Sequence, residues 1–181
     1  RFAKARITGY IFTMDDKFLK PYDPKATETS IYRRWEESGF FNPDNLEKAG
    51  DRYWNAEAFA MAMPPANVTA DLHLGSAMFL TIEDMMIRYA RMTGKKTLWL
   101  PGTDHAAIAT QNVVERELWE KEKKTRHDVG REELLRRIDE FIQKTRGRIQ
   151  IQIRKMGSSC DWSRERYTLS PELSLAVRTA F

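Results

Sequence analysis

The chain has 181 residues, 30 Lys+Arg against 26 Asp+Glu, a formal net charge of +4 and a single cysteine. That length suits roughly one domain, and 41% hydrophobic residues with five tryptophans exclude a disordered chain. Cys160 alone makes neither an internal disulfide nor a cysteine-built zinc site, and no run of about 18 apolar residues is present to span a membrane. A reducing, cytoplasmic compartment is therefore the expectation. The mild positive charge permits an RNA or nucleotide partner without requiring one.

The first stretch, Arg1 to Met14, is basic, carries no acidic residue and lacks the apolar core of a secretory signal. Residues 1–21 are read as a leader, disordered or not native, with Met14 as the preferred true start. Residues 22–58 are read as an N-terminal helical extension. Its helix opens on a Thr or Ser cap near Thr27–Ser30, presents Ile31, Trp35 and the edge of Phe40 on one face, and closes at Gly39. Asn42-Pro43-Asp44-Asn45 and Ala49-Gly50-Asp51 both carry turn chemistry.

Phe59 to Met63 is a short apolar run stopped by Pro64-Pro65, which favours a buried strand. Leu74 to Met92 follows as a helix, with Leu74, Met78, Ile82, Met85, Tyr89 and Met92 recurring at helical spacing. Lys96 to Leu100 is a second strand, and Thr103-Asp104 is expected to cap a helix through about Lys121. The order strand, loop, helix, strand, loop, helix predicts an α/β fold with parallel strands and flanking helices. From Arg131 to Met156 a charged helix has Leu134, Leu135, Ile138, Phe141, Ile142, Ile149 and Ile153 as its apolar edge. The cations gathered between Lys144 and Arg166 form either a solvated face or a surface for RNA phosphates.

In parallel sheets, ligands bind beyond the carboxyl ends of the strands. Two loops there stand out, Pro64 to Ser76 and Pro101 to Ala106. The first enters a helix N-terminus, where free N–H groups and the helix dipole favour an anion. Gly75 admits close approach, and His73 can donate to a phosphate as charge develops; capping or packing is its simpler role. Asp104 is either a helix cap or a carboxylate facing the crevice, able to hold a ligand ammonium. His105 is expected to point to a different face and to pack. Three histidines without supporting Cys or acidic residues give no protein-bound metal site.

Pro64 to Ser76 resembles the HIGH region of class I aminoacyl-tRNA synthetases. Together with Leu98 to Gln111 and Ser159 to Thr168, in that order, it resembles the valyl-tRNA synthetase family, with the match running from about Tyr22 to the end. The resemblance implies the N-terminal half of a class I synthetase Rossmann-like catalytic domain over residues 59–181, incomplete and truncated at the C-terminus. It implies ATP-dependent activation of valine and its transfer to tRNA(Val), with Mg2+ as the counter-ion of ATP, in an enzyme that is monomeric when full length. Pro65 would line the side-chain pocket, and Asn67 and Asp104 would hold the valine ammonium. His73, Leu74, Gly75 and Ser76 would bind ATP, with His73 and Ser76 catalytic.

Four positions depart from the family pattern. Ser76 stands where a second histidine is usual, and Ala66, Ala70 and Ala107 stand where Pro, Gly and Gly are common. A serine hydroxyl is shorter than imidazole and cannot be cationic, so activity is expected to suffer. Two alternatives stay open: a non-catalytic tRNA- or partner-binding relative with a degenerate HIGH motif, and a synthetase for isoleucine. The chain on its own is expected to expose sheet edge and apolar surface, to be poorly soluble and to be inactive.

Overall fold

The computed structural model describes residues 21–49 and 56–181. Gly50 and Asp51 of the expected turn, and almost all of the leader, lie outside the described residues. Helix α1 (Pro24–Ser38) is followed by a 3-10 helix (Pro43–Ala49), strand β1 (Ala58–Ala62) and the short β2 (Ala66–Asn67). Helix α2 (Leu74–Met92), β3 (Lys96–Leu100), β4 (Gly102–Asp104) and α3 (Ala107–Glu122) come next. The long α4 (Arg126–Lys155), β5 (Arg166–Tyr167) and α5 (Pro171–Ala180) complete the order. Among the described residues every strand pairing is parallel: β1 with β3, and β2–β4–β5 as a second small sheet.

Local chemistry explains most of the boundaries. The Asp23 carboxylate caps α1 by accepting from the Lys25 and Ala26 amides, so the cap precedes the Thr27–Ser30 stretch expected from sequence. Gly39 closes that helix in the left-handed region, φ 71°, as expected of a C-cap glycine. The face buried is that of Tyr32, and Trp35 is left exposed beside the Arg88 guanidinium. Tyr32 wins because its hydroxyl donates to the Ser158 carbonyl at 2.8 Å and accepts from the Trp162 indole at 2.9 Å. In α4, Gly130 breaks the helix with φ 79° and ψ 169°, and the continuous part begins at Arg131, as the sequence predicts.

Strand β1 is not buried on both faces. Phe59 and Met61 pack inward, whereas Ala58, Ala60 and Ala62 face out, because the run alternates large and small residues. Strand β3 sends Thr97 and Trp99 into the core.

Helix α2 corrects the sequence reading most strongly. Leu74, Met78, Ile82, Met85, Tyr89 and Met92 are all exposed, Leu74 at 87% and Met92 at 85%. The stripe Ser76, Leu80, Ile87 and Ala90, on the opposite side, packs on β1 and β3. Burying Leu80 and Ile87 contributes about 1.5–3 kcal/mol each. The same side places Glu83 where its carboxylate accepts from the Trp99 indole at 3.0 Å, and burial raises the Glu83 pKa. The core runs on through Met63, Val68, Ile142, Ile149, Ile153 and Cys160. Leu135, expected on the inner edge of α4, is half exposed.

Candidate active site

The site forms where the two small sheets meet, at the carboxyl ends of β1, β2 and β4. Chain geometry brings its loops together. The Met63 amide donates to the Leu100 carbonyl at 2.9 Å and the Val68 amide to the Asp104 carbonyl at 2.9 Å, stitching the proline-rich loop to the second one. A Cβ at Gly102 would stand 3.3 Å from the Arg166 carbonyl and 3.7 Å from Pro65, so glycine there lets Pro65 and β5 close on β4. Asn67 and Asp104 are register partners on adjacent parallel strands. The structure therefore sets these two residues side by side, with Pro65 beside the same strand.

Asp104 is a strand residue, not a cap. Helix α3 starts at Ala107 behind Ala106, which has φ 51° and gives no side-chain cap bond, so the capping reading of Thr103-Asp104 fails. The Thr168 hydroxyl meets Asp104 Oδ1 at 2.7 Å. It also accepts the His105 amide at 2.9 Å and lies 2.6 Å from His105 Nδ1. His105 thus does not point away from Asp104: its Nδ1 is 3.4 Å from Asp104 Oδ1, and its ring meets Tyr167 edge-on at 6.4 Å. Among the described residues, no hydrogen bond reaches Asp104 Oδ2 or the Asn67 side-chain amide.

The other loop ends at His73, whose backbone is extended and whose Nδ1 accepts the Ser76 amide at 3.1 Å. An accepting Nδ1 puts the ring proton on Nε2, 3.4 Å from the Ser76 hydroxyl. His73 is therefore the N-cap of α2, and Ser76 is buried under it at 6% exposure. A Cβ on Gly75 would lie 3.0 Å from the His73 ring, so the close approach that glycine permits here is that of His73 itself. The Leu74 and Gly75 amides, at the exposed end of a 19-residue helix, find no acceptor among the described residues. No group of three or more His, Cys, Asp or Glu stands close enough to hold a metal ion among the described residues.

The segment that leads to Thr168 is anchored at Ser159 by a polar network that the sequence did not announce. Ser159 donates from its amide (3.0 Å) and hydroxyl (2.5 Å) to Asp84 Oδ1. Arg91 donates to the Ser159 hydroxyl (2.5 Å) and carbonyl (2.7 Å), and Arg88 to the Gly157 carbonyl (2.7 Å). The following chain is then led past the end of β3, where the Asp161 amide donates to the Trp99 carbonyl at 3.0 Å, into β5. Burial in this segment pushes the Cys160 thiol up to about 12, which keeps it protonated.

In the basic stretch Arg146, Arg148, Arg154 and Arg164 form ion pairs. Arg146 meets Glu165 at 2.9 Å, Arg154 meets Glu36 at 3.0 Å and lies over the Trp162 ring, and Arg148 meets Asp71 at 3.4 Å. Arg164 pairs with Asp44. These cations tie α4 and the segment before β5 to other elements, which accounts for much of the local excess without RNA.

Comparison with known proteins agrees with this architecture. The family model of class I tRNA synthetases (I, L, M and V) matches residues 30–181, and the chain belongs to that family. Within it, the chain is 51% identical over 180 residues to a chloroplastic/mitochondrial valine–tRNA ligase of Arabidopsis thaliana, covering 99% of this chain. It is 47% identical to the valine–tRNA ligase of Chlamydia muridarum and 46% identical to the mitochondrial one of Saccharomyces cerevisiae, over 92% and 94% of this chain. The chain spans only 15–18% of the length of these relatives. Among solved structures, an Agrobacterium radiobacter K84 LeuRS, crystallised in a ternary complex with tRNA and LeuAMS, shares the fold. Its TM-score is 0.67 at 18% identity, over 89% of this chain and 17% of that one.

Proposed function

We propose that this chain is the part of a valine–tRNA ligase that binds valine and ATP, and that the whole protein joins valine to tRNA(Val). The observation that carries the reading is the pairing of Asn67 with Asp104 in register at the strand ends, beside Pro65. A carboxylate with one free oxygen next to a free amide suits an ammonium group, and a proline surface suits a small aliphatic side chain. The identities of 46–51% to valine–tRNA ligases favour valine over isoleucine.

ATP fits the N-terminus of α2. The Leu74 and Gly75 amides are free to meet phosphate oxygens, and the helix dipole favours the same charge. His73 Nε2–H is the donor available to a transferring phosphate, with Ser76 behind it. ATP, when bound, would supply the leaving pyrophosphate, with Mg2+ as its counter-ion. The protein's share is to hold the valine carboxylate toward the α-phosphate and to stabilise charge there, which is positioning and electrostatics. The chain by itself is expected to be inactive, since it spans a small fraction of the relatives' length.

No helix among the described residues is long and apolar enough to cross a membrane. A cytoplasmic monomer is our reading of the full-length protein, and fractionation with sedimentation tests it. The function is tested by pyrophosphate exchange and tRNA charging on the full-length protein with valine, isoleucine and threonine. Exchange that depends on isoleucine but not valine sinks the valine reading. Absence of exchange with any of the three sinks ligase activity.

A further inference from the structure

We propose that Thr168 is a positioning residue for Asp104: its hydroxyl holds one carboxylate oxygen so that the other stays free for the ligand ammonium. The proposal rests on the ammonium role of Asp104 given above. Three groups converge on Thr168 Oγ1: Asp104 Oδ1 at 2.7 Å, the His105 amide at 2.9 Å and His105 Nδ1 at 2.6 Å. A threonine hydroxyl has one proton and two lone pairs. The amide can only donate, so it takes one lone pair.

The single proton must then go to Asp104 or to His105. Given to His105, it would leave a carboxylate oxygen and a hydroxyl lone pair face to face at 2.7 Å. Given to Asp104, it leaves the second lone pair for a proton on His105 Nδ1. The geometry assigns the second pattern, in which the hydroxyl donates once, accepts twice and has no capacity unused. Asp104 Oδ1 is thereby occupied, and its direction is set by the residue that follows β5, while Oδ2 is unengaged among the described residues.

The device is tertiary. Thr168 lies 64 residues from Asp104, and its own amide donates to the Thr103 carbonyl at 3.2 Å, which sets the register between the two strands. Thr168→Val keeps the β-branched shape and that backbone bond but removes the hydroxyl. Without it, the Asp104 carboxylate can rotate, and both of its oxygens compete for water.

The test measures dissociation constants for valine and for ATP by calorimetry on the full-length protein. Thr168→Val and Thr168→Ala should each weaken valine about tenfold and leave ATP within about twofold, while Thr168→Ser stays within about threefold of the parent on both. In an Asp104→Ala background, Thr168→Val should add nothing, because the group it positions is gone. Equal weakening of valine and ATP, a Thr168→Ser as poor as Thr168→Val, or an undiminished effect in the Asp104→Ala background overturns the positioning role. Asp104→Ala that leaves valine affinity unchanged overturns the ammonium reading and the positioning role with it. That outcome is distinguishable because it does not involve Thr168.

Discussion

Asp104 ends strand β4 and His73 caps helix α2, and the chain holds the two in opposite ways. The bond that orients Asp104 comes from a residue 64 positions away, across a strand pairing. The bond that orients His73 comes from a residue three positions away, inside the first turn of its own helix. The proposed amino-acid half of the site is therefore organised by the fold itself. On the proposed nucleotide side the capping bond uses Nδ1, which leaves Nε2, beside the Ser76 hydroxyl, as the ring nitrogen for the proposed chemistry. Tertiary preorganisation predicts effects on affinity, and a doubly used ring predicts effects on rate and stability that can be pulled apart.

His73→Asn breaks the comparison most sharply. Asparagine is among the best N-cap residues, so the cap and the thermal midpoint should survive. The donor toward phosphate is lost, and valine-dependent exchange should fall about a hundredfold in kcat. A full rate in a stable His73→Asn protein would leave the histidine as a cap and nothing more.

The next effect in size belongs to Asp104→Ala. Removing a charged partner of the ammonium should raise the KM for valine by about tenfold to a hundredfold, with the KM for ATP nearly unmoved. Equal rises in both constants would show that the carboxylate supports the fold of the site as a whole.

Ser76→His is expected to act in the other direction. The serine is buried beneath the His73 ring, and a second imidazole at this place would add a donor at the α2 N-terminus. Exchange should rise by about tenfold or less, since part of the gain is offset by fitting a larger side chain into a packed position. A rate that stays level or drops removes Ser76 as a handicap.

Much of this arrangement was legible from residue pattern. The bounds of α2 and β3 follow from spacing and from the turns that stop them, and parallel order follows from alternation of strands and helices. Beyond the misplaced caps of α1 and α3 and the direction of His105, two features were not legible. Helix α2 carries apolar residues on two opposite sides, and periodicity alone cannot say which side meets the sheet. The stripe with fewer large side chains was buried because Leu80, Ile87 and Ala90 fit on β1 and β3 while Glu83, Asp84 and Arg91 find partners there. The second feature is Thr168. Nothing local marks it, for its partners are set by strand register, and register is a property of the sheet. Its place at the end of the Ser159–Thr168 block was the one available signal.

The smallest effect concerns the entry to α3, immediately after His105. Ala106 and Ala107 both have positive φ, 51° and 20°, a region that costs an alanine about 1–2 kcal/mol. Of the three alanines that stand where the family has Pro or Gly, only Ala107 takes such a backbone; Ala66 lies in β2, and Ala70 keeps a negative φ. Glycine at 107 removes the steric cost but widens the unfolded ensemble, which takes back about 0.5–1 kcal/mol. The net expectation for Ala107→Gly is a gain of about 0.5 kcal/mol in a denaturant titration. Ala109→Gly, two positions on in regular helix, should lose about 1 kcal/mol. Opposite signs from one substitution two residues apart would locate the strain in the backbone beside His105. Losses of similar size at both positions would mean that the neighbouring strands and helix relax it.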